Sequence, residues 1–185
     1  MPSVCIAGCG FDVDAGSLLL DWQSVGAEAA QATASGWSGS PTRNVEDWLE
    51  MASVSLQYTN TSCQPKIVEM KGFAPFLRQR MGPGNNWIRA FRLAWSLGGD
   101  PGHPTPGNLD TYVRANWAAA MPEGSYREDS GPVTTIPYLA TVQPGETLQM
   151  RHIFWWSTDS YTQSGYNWVH LPSIRVRYIA WPAVA

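Results

Sequence analysis

Gln143-Pro144-Gly145-Glu146-Thr147-Leu148-Gln149-Met150-Arg151-His152-Ile153-Phe154-Trp155-Trp156 divides into a turn and a strand. Pro144 and Gly145 occupy the two central positions that a type II turn prefers, since Pro presets its own φ and Gly accepts a positive one. Beyond the turn, Leu148, Met150, His152, Phe154 and Trp156 alternate with Thr147, Gln149 and Arg151. A period of two with one apolar face marks a half-buried antiparallel strand. Val133 to Val142 precedes the turn, so the stretch predicts a β-hairpin.

The same alternation recurs on both sides. Downstream, a polar, Tyr-containing loop over Ser157 to Asn167 leads to Ser173–Trp181, where Ile174, Val176, Tyr178 and Ala180 oppose Ser173, Arg175 and Arg177. Upstream, Val54, Leu56 and Tyr58 alternate with Ser53, Ser55, Gln57 and Thr59, and Val68 and Met70 alternate with Glu69 and Lys71. Phe73 to Met81 is interrupted by Pro75, which suits an edge or an irregular crossing. A Gly82-Pro83-Gly84-Asn85-Asn86 turn leads into an apolar strand, Trp87 to Leu97. The Gly- and Pro-dense stretch Gly98 to Asn108 is a loop of about a dozen residues. Asp110 to Met121 reads as a strand and the charged Pro122 to Pro132 as a surface loop. The total is about seven or eight strands from residue 53 onward, at the turn spacing of a sandwich.

The fold expected is therefore all-β: an antiparallel, jelly-roll-like β-sandwich over residues 51–185. Residues 1–50 differ. Ser17 to Asp21 has strand character, Gly26 to Ala34 is Ala-rich, and Gly36 to Asn44 has a linker's composition, so this part is expected to be an extended N-terminal arm ordering against the body or a neighbouring subunit.

Composition narrows the function. Of 185 residues only 15% are charged, the net charge is −3, and ten are tryptophan. Scattered cations and a negative balance disfavour nucleic-acid binding. No apolar run is long enough to span a bilayer, so membrane insertion is not expected. The start, Met1 to Cys9, lacks the cationic and apolar regions of a signal peptide, and use without secretion is expected. Cys5, Cys9 and Cys63 cannot all pair within one chain, and free thiols are the default expectation. The Asn60-Thr61-Ser62 glycosylation triplet carries little weight by itself.

Catalytic groups are sparse. His103 lies among prolines in the long loop, His152 on the apolar face of a strand, and His170 ahead of Leu171-Pro172. The carboxylates Glu46, Asp47 and Glu50, and Glu123, Glu128 and Asp129, sit in polar contexts where surface or capping roles are expected, although two of them would suffice for a glycosidase. No enzyme activity, cofactor or metal site is expected. The aromatics offer more. Trp155, Tyr161, Tyr166 and Trp168 cluster around one loop, and Trp155 and Trp156, being adjacent on a strand, point to opposite faces. The outward one would serve as a subunit contact, a sugar-stacking platform, or a residue covered by the arm.

Several segments together carry a resemblance: Asn60-Thr61-Ser62-Cys63-Gln64-Pro65, the Pro83-Gly84 turn, Val142-Gln143-Pro144-Gly145-Glu146-Thr147, the closing strand Ile174 to Trp181, and the start Val4-Cys5-Ile6-Ala7-Gly8-Cys9-Gly10. They resemble the β-sandwich region of minor tail proteins of tailed phages that infect actinobacteria. The resemblance implies a structural virion component, made in the host cytoplasm and assembled as a homo-oligomer, a trimer or larger ring, with other virion proteins as partners. A capsid decoration protein is the near alternative. The rival readings are a module binding host-surface glycan through Trp155, Tyr161, Tyr166 and Trp168, and a polysaccharide-cleaving enzyme with two acidic residues.

Overall fold

A computed structural model describes residues 11–14, 17–20, 28–39, 48–81, 86–106, 111–116, 126–130, 132–160 and 168–183. Every regular element among them is a strand: β1 (Phe11–Asp14), β2 (Ser17–Leu20), β3 (Glu28–Ser35), β4 (Ser38–Gly39), β5 (Leu49–Thr59), β6 (Lys66–Ala74), β7 (Leu77–Met81), β8 (Asn86–Leu97), β9 (Thr111–Asn116), β10 (Tyr126–Ser130), β11 (Val133–Thr134), β12 (Tyr138–Val142), β13 (Thr147–Ser160), β14 (Trp168–His170) and β15 (Ser173–Pro182). Sheet I has the order β11-β6-β15-β3, with β12 also on β6. Sheet II runs β5-β13-β8-β9, sheet III runs β10-β7-β14-β4, and β1 pairs with β2. The ladders are antiparallel.

The molecule is an antiparallel β-sandwich, as the alternation predicts. Sheet I turns Val68, Met70, Ala74, Ile174, Val176 and Ala180 inward, and sheet II meets them with Phe91, Leu93, Leu148, Met150, Phe154 and Trp156. Sheet III adds Leu77 and Val169 to the same core. Each such fully buried aliphatic or aromatic side chain contributes about 1.5–3 kcal/mol by leaving water. His152 also points into this interior. Its Nδ1–H donates to the Arg175 carbonyl of sheet I at 2.9 Å. Facing it is Gly72, where a Cβ would lie 2.4 Å from the His152 ring, so the close approach of the two sheets requires glycine there.

The turn at Gln143–Glu146 forms as expected: Glu146 N–H donates to Gln143 O at 3.0 Å and Gly145 has φ +81°. The hairpin does not. β12 pairs with β6 from Tyr138↔Met70 to Val142↔Lys66, whereas β13 lies between β5 and β8, so the turn carries the chain from sheet I to sheet II. Alternation specifies which face of each strand is buried, and both arrangements satisfy it equally. Asn60 pins this corner. Its N–H donates to Glu146 O at 3.0 Å, and its carbonyl accepts from Gly145 N–H at 2.8 Å. Its Nδ2 donates to Val142 O at 2.9 Å and Gln64 O at 2.8 Å, and its Oδ1 accepts from Ser62 N–H at 3.0 Å. The residue is fully buried, so its amide serves the corner and offers no surface acceptor for a glycan.

Other stretches complete the comparison. Val133 to Val142 is two strands on β6, β11 and β12, divided where Thr135 and Gly72 exchange hydrogen bonds: Thr135 N–H to Gly72 O at 3.0 Å and Gly72 N–H to Thr135 Oγ1 at 2.8 Å. Pro75 falls between β6 and β7, where the chain passes from sheet I to sheet III. Tyr126–Ser130, expected to be loop, is a strand on β7 at one side of sheet III. Among the described residues, eleven strands, β5 to β15, follow residue 48 rather than seven or eight.

Part of the segment expected to be an arm orders against the body. β3 runs along β15 from Ser35↔Ser173 to Glu28↔Ala180, and its Ala32 and Ala34 pack on the core. Residues 1–10, 21–27 and 40–47 lie outside the described residues. Cys63 is disulfide-bonded, which corrects the expectation of free thiols. Cys5 and Cys9 fall outside the described residues.

Candidate functional site

Trp155 and Trp156 point to opposite faces, as the alternation requires. Trp156 fills the main core. Trp155 lies on the outer face of sheet II, yet it is only 5% exposed, packed with Ala90, Ile153 and Trp48. This outer face is crossed by the loop Gly98–Pro106. Arg151 Nη1 donates to Gly102 O at 2.7 Å and pairs with Asp100 at 3.2 Å; Arg92 donates to Thr105 O, and His103 pairs with Glu50. Because Glu50, Arg151 and Arg92 sit on β5, β13 and β8, the loop spans three strands. The Gly102 N–H and the Arg151 guanidinium hold the Asp100 carboxyl below the usual carboxylate range. Tyr161 and Tyr166 lie outside the described residues.

Trp168 is different, being 36% exposed on the outer face of sheet III. Its ring stacks on His170, two residues along the same strand, with centroids 5.5 Å apart and planes 15° from parallel. His170 in turn lies 5.9 Å from Phe76 and hydrogen-bonds Ser38 Oγ at 3.2 Å. The Arg78 guanidinium sits 5.2 Å from the Phe76 centroid. Ring faces with adjacent cations and hydroxyls can stack a sugar or an aromatic side chain. Trp168 is thus brought together with His170, Phe76 and Arg78, which sequence reasoning did not select. The i, i+2 spacing of Trp168 and His170 was available as a signal; Phe76, at a sheet crossing, has no local one.

The remaining titratable groups hold protons or bridge strands. Burial pushes His152 down to about 4, so its ring is neutral at pH 7. Its Nε2 is buried without a hydrogen-bond partner, so this nitrogen is closed to solvent. The rings of Tyr58 on sheet II and Tyr178 on sheet I meet at a 55° tilt with centroids 5.0 Å apart, beside the Glu28–Lys66 pair, whose atoms are 3.4 Å apart. Burial first, then the Glu28 charge, raises Tyr58 to about 12 and also raises Tyr178, so both stay protonated phenols. Of the carboxylates considered for sugar hydrolysis, Glu50 is engaged by His103, Glu128 and Asp129 lie on β10, and Glu46, Asp47 and Glu123 lie outside the described residues. Among the described residues no three His, Cys, Asp or Glu side chains gather as metal ligands.

Neither a family model nor a curated protein matches the chain. Among solved structures it has a weak likeness to a chain in the structure of infectious bursal disease virus, Gx strain. The identity is 11% and the TM-score 0.29, over 94% of this chain and 40% of that one. A likeness of this grade carries no argument about function.

Proposed function

We propose that the chain is a non-enzymatic structural subunit of a phage particle, a minor tail or tail-tip component that assembles as a symmetric homo-oligomer, a trimer or larger ring. The observation that carries this reading is the apolar end of the outer face of sheet I. Ladder register aligns Ala29, Ile179, Glu69 and Leu139 in one row and Trp181, Ile67 and Thr141 in the next. Leu139 is 62% exposed there, and Ile136, in the connection before β12, is 53% exposed. Apolar side chains gathered on the outer face of a sheet, here with Glu69 and Thr141 among them, favour burial against a neighbouring subunit. The joining of the Asn60 segment to the Pro144-Gly145 turn in one hydrogen-bonded corner adds support, because both motifs belong to the tail-protein resemblance. A decoration protein of the capsid would use the same surface and differs in location and copy number.

Mass by light scattering tests the assembly. The chain is expected to give a trimer or larger ring, and Leu139→Glu with Ile179→Glu should reduce it to a monomer of unchanged circular dichroism. A wild-type chain that stays monomeric at high concentration, and is missing from purified particles, would overturn the reading. The exposed Trp168–His170 stack favours a second reading, a glycan-binding module of the same particle. Retention on host-envelope polysaccharide that Trp168→Ala abolishes would favour that one instead.

A further inference from the structure

The opposite end of the same face is cationic. Register places Gln31, Arg177 and Lys71 side by side on β3, β15 and β6, and Thr33, Arg175, Phe73 and Thr134 in the adjoining row. Between them lies a cleft of about 340 Å³ lined by Gln31, Lys71, Phe73, Thr134, Arg175 and Arg177. That is the lower end of the range of roughly 300–1,000 Å³ typical of small-molecule sites. Three cations line it in a chain whose net charge is −3.

Their pairing leaves charge unspent. Lys71 Nζ is held by Glu69 at 2.8 Å, but among the described residues no carboxylate lies within ion-pair distance of Arg175 or Arg177. The Arg175 guanidinium is fixed over the Phe73 ring, 5.5 Å from its centroid, and its Nε–H is buried without an acceptor. That Nε–H is covered by its surroundings, so an incoming oxyanion would meet the terminal nitrogens of the guanidinium, with a charge-assisted bond. Gln31 adds a neutral donor at the rim, suited to the hydroxyls of a ligand's body, and Thr134 lines the cleft beside it.

We propose that this cleft binds a small oxyanion-bearing ligand, of about the size of one sugar ring carrying a phosphate or carboxylate. Arg175 and Arg177 grip the oxyanion, Lys71 supplies further positive field, and Gln31 and Thr134 contact the body. The site stands apart from the assembly reading, since ligand titration reports the one and particle mass the other.

The test is titration of the full chain, by NMR or calorimetry at constant ionic strength, with glucose 6-phosphate, glucuronate, inorganic phosphate and glucose. At least one of the anions should bind in the millimolar range or tighter while glucose does not. Tighter binding of the sugar phosphate than of inorganic phosphate would show that the ligand's body contributes, and equal binding that the oxyanion alone is read; both support the site. Arg177→Gln, an exposed change that leaves folding intact, should weaken binding at least about tenfold. Arg175→Lys should weaken it as well, because an ammonium cannot reproduce the planar fork. No anion binding at about 10 mM, well above the millimolar reference point, would overturn the proposal. So would equal binding of glucose, or affinity unchanged in Arg177→Gln.

Discussion

Acid should destabilise this protein through His152, by an amount that its position sets. The folded-state value is about 4, against 6.5 for the exposed ring of the unfolded chain. As the pH falls through this window the unfolded chain takes up a proton that the folded chain refuses, so stability is complete above pH 6.5 and declines toward pH 4. Below that both states carry the proton and this group costs nothing more. At about 1.4 kcal/mol per pH unit the decline is about 3 kcal/mol, a large part of the ~5–15 kcal/mol that holds a typical domain together. Urea unfolding at several pH values between 7 and 4 measures it, with His152→Gln as the reference. The glutamine amide can donate to the Arg175 carbonyl but does not titrate. The variant's stability should fall less steeply, and the gap between the two curves should close toward low pH. Parallel curves across the window would refute the reasoning, since any loss would then belong to the carboxylates common to both proteins.

Two further outcomes are expected. Asn60→Ala strands the Val142 carbonyl and the Ser62 N–H at the corner, while the Ser62 hydroxyl still donates to Gln64 O, and should cost about 2–4 kcal/mol in chemical denaturation, whereas an exposed asparagine would cost almost nothing. Arg151→Ala should leave the midpoint of thermal unfolding nearly unchanged, since the Asp100 partner is exposed, but should speed proteolytic cleavage within 98–106 by releasing that loop from β13.

The strands legible in the sequence are those with one wet and one dry face. Val54-Leu56-Tyr58 on β5, Val68-Met70 on β6, Leu148 to Trp156 on β13 and Ile174 to Ala180 on β15 carry their burial in their spacing. Partner choice left no such trace. Pro144-Gly145 makes the turn, but whether β12 returns on β13 or crosses to β6 depends on where β5 and β8 lie, which is non-local. Tyr126–Ser130 was illegible because a charged strand at a sheet's margin has the composition of a loop. Glu28–Ser35 was obscured by alanine, whose small side chain packs inward at Ala32 and Ala34 without announcing a face. At the candidate site, alternation put Trp155 and Trp156 on opposite faces, but the cover of Trp155 by Trp48 required tertiary structure. The cationic cleft was hidden for a related reason: Lys71 and Arg177 are distant in sequence and meet only through the β6–β15 register.

The place of β15 bears on how the chain comes to be folded. This strand is made after all the others described, yet it lies between β3 and β6 in the middle of sheet I. Until it emerges, β3 and the facing edge of β6 have no ladder to join, and Ala32, Ala34, Val68 and Met70 have no completed sheet to line. Sheet I therefore closes after translation has passed residue 182, by pairings of long sequence separation that make folding slow. During the interval two strand edges stand open to other chains. A cell making many copies at once would meet its greatest aggregation hazard there, before the last ladder forms.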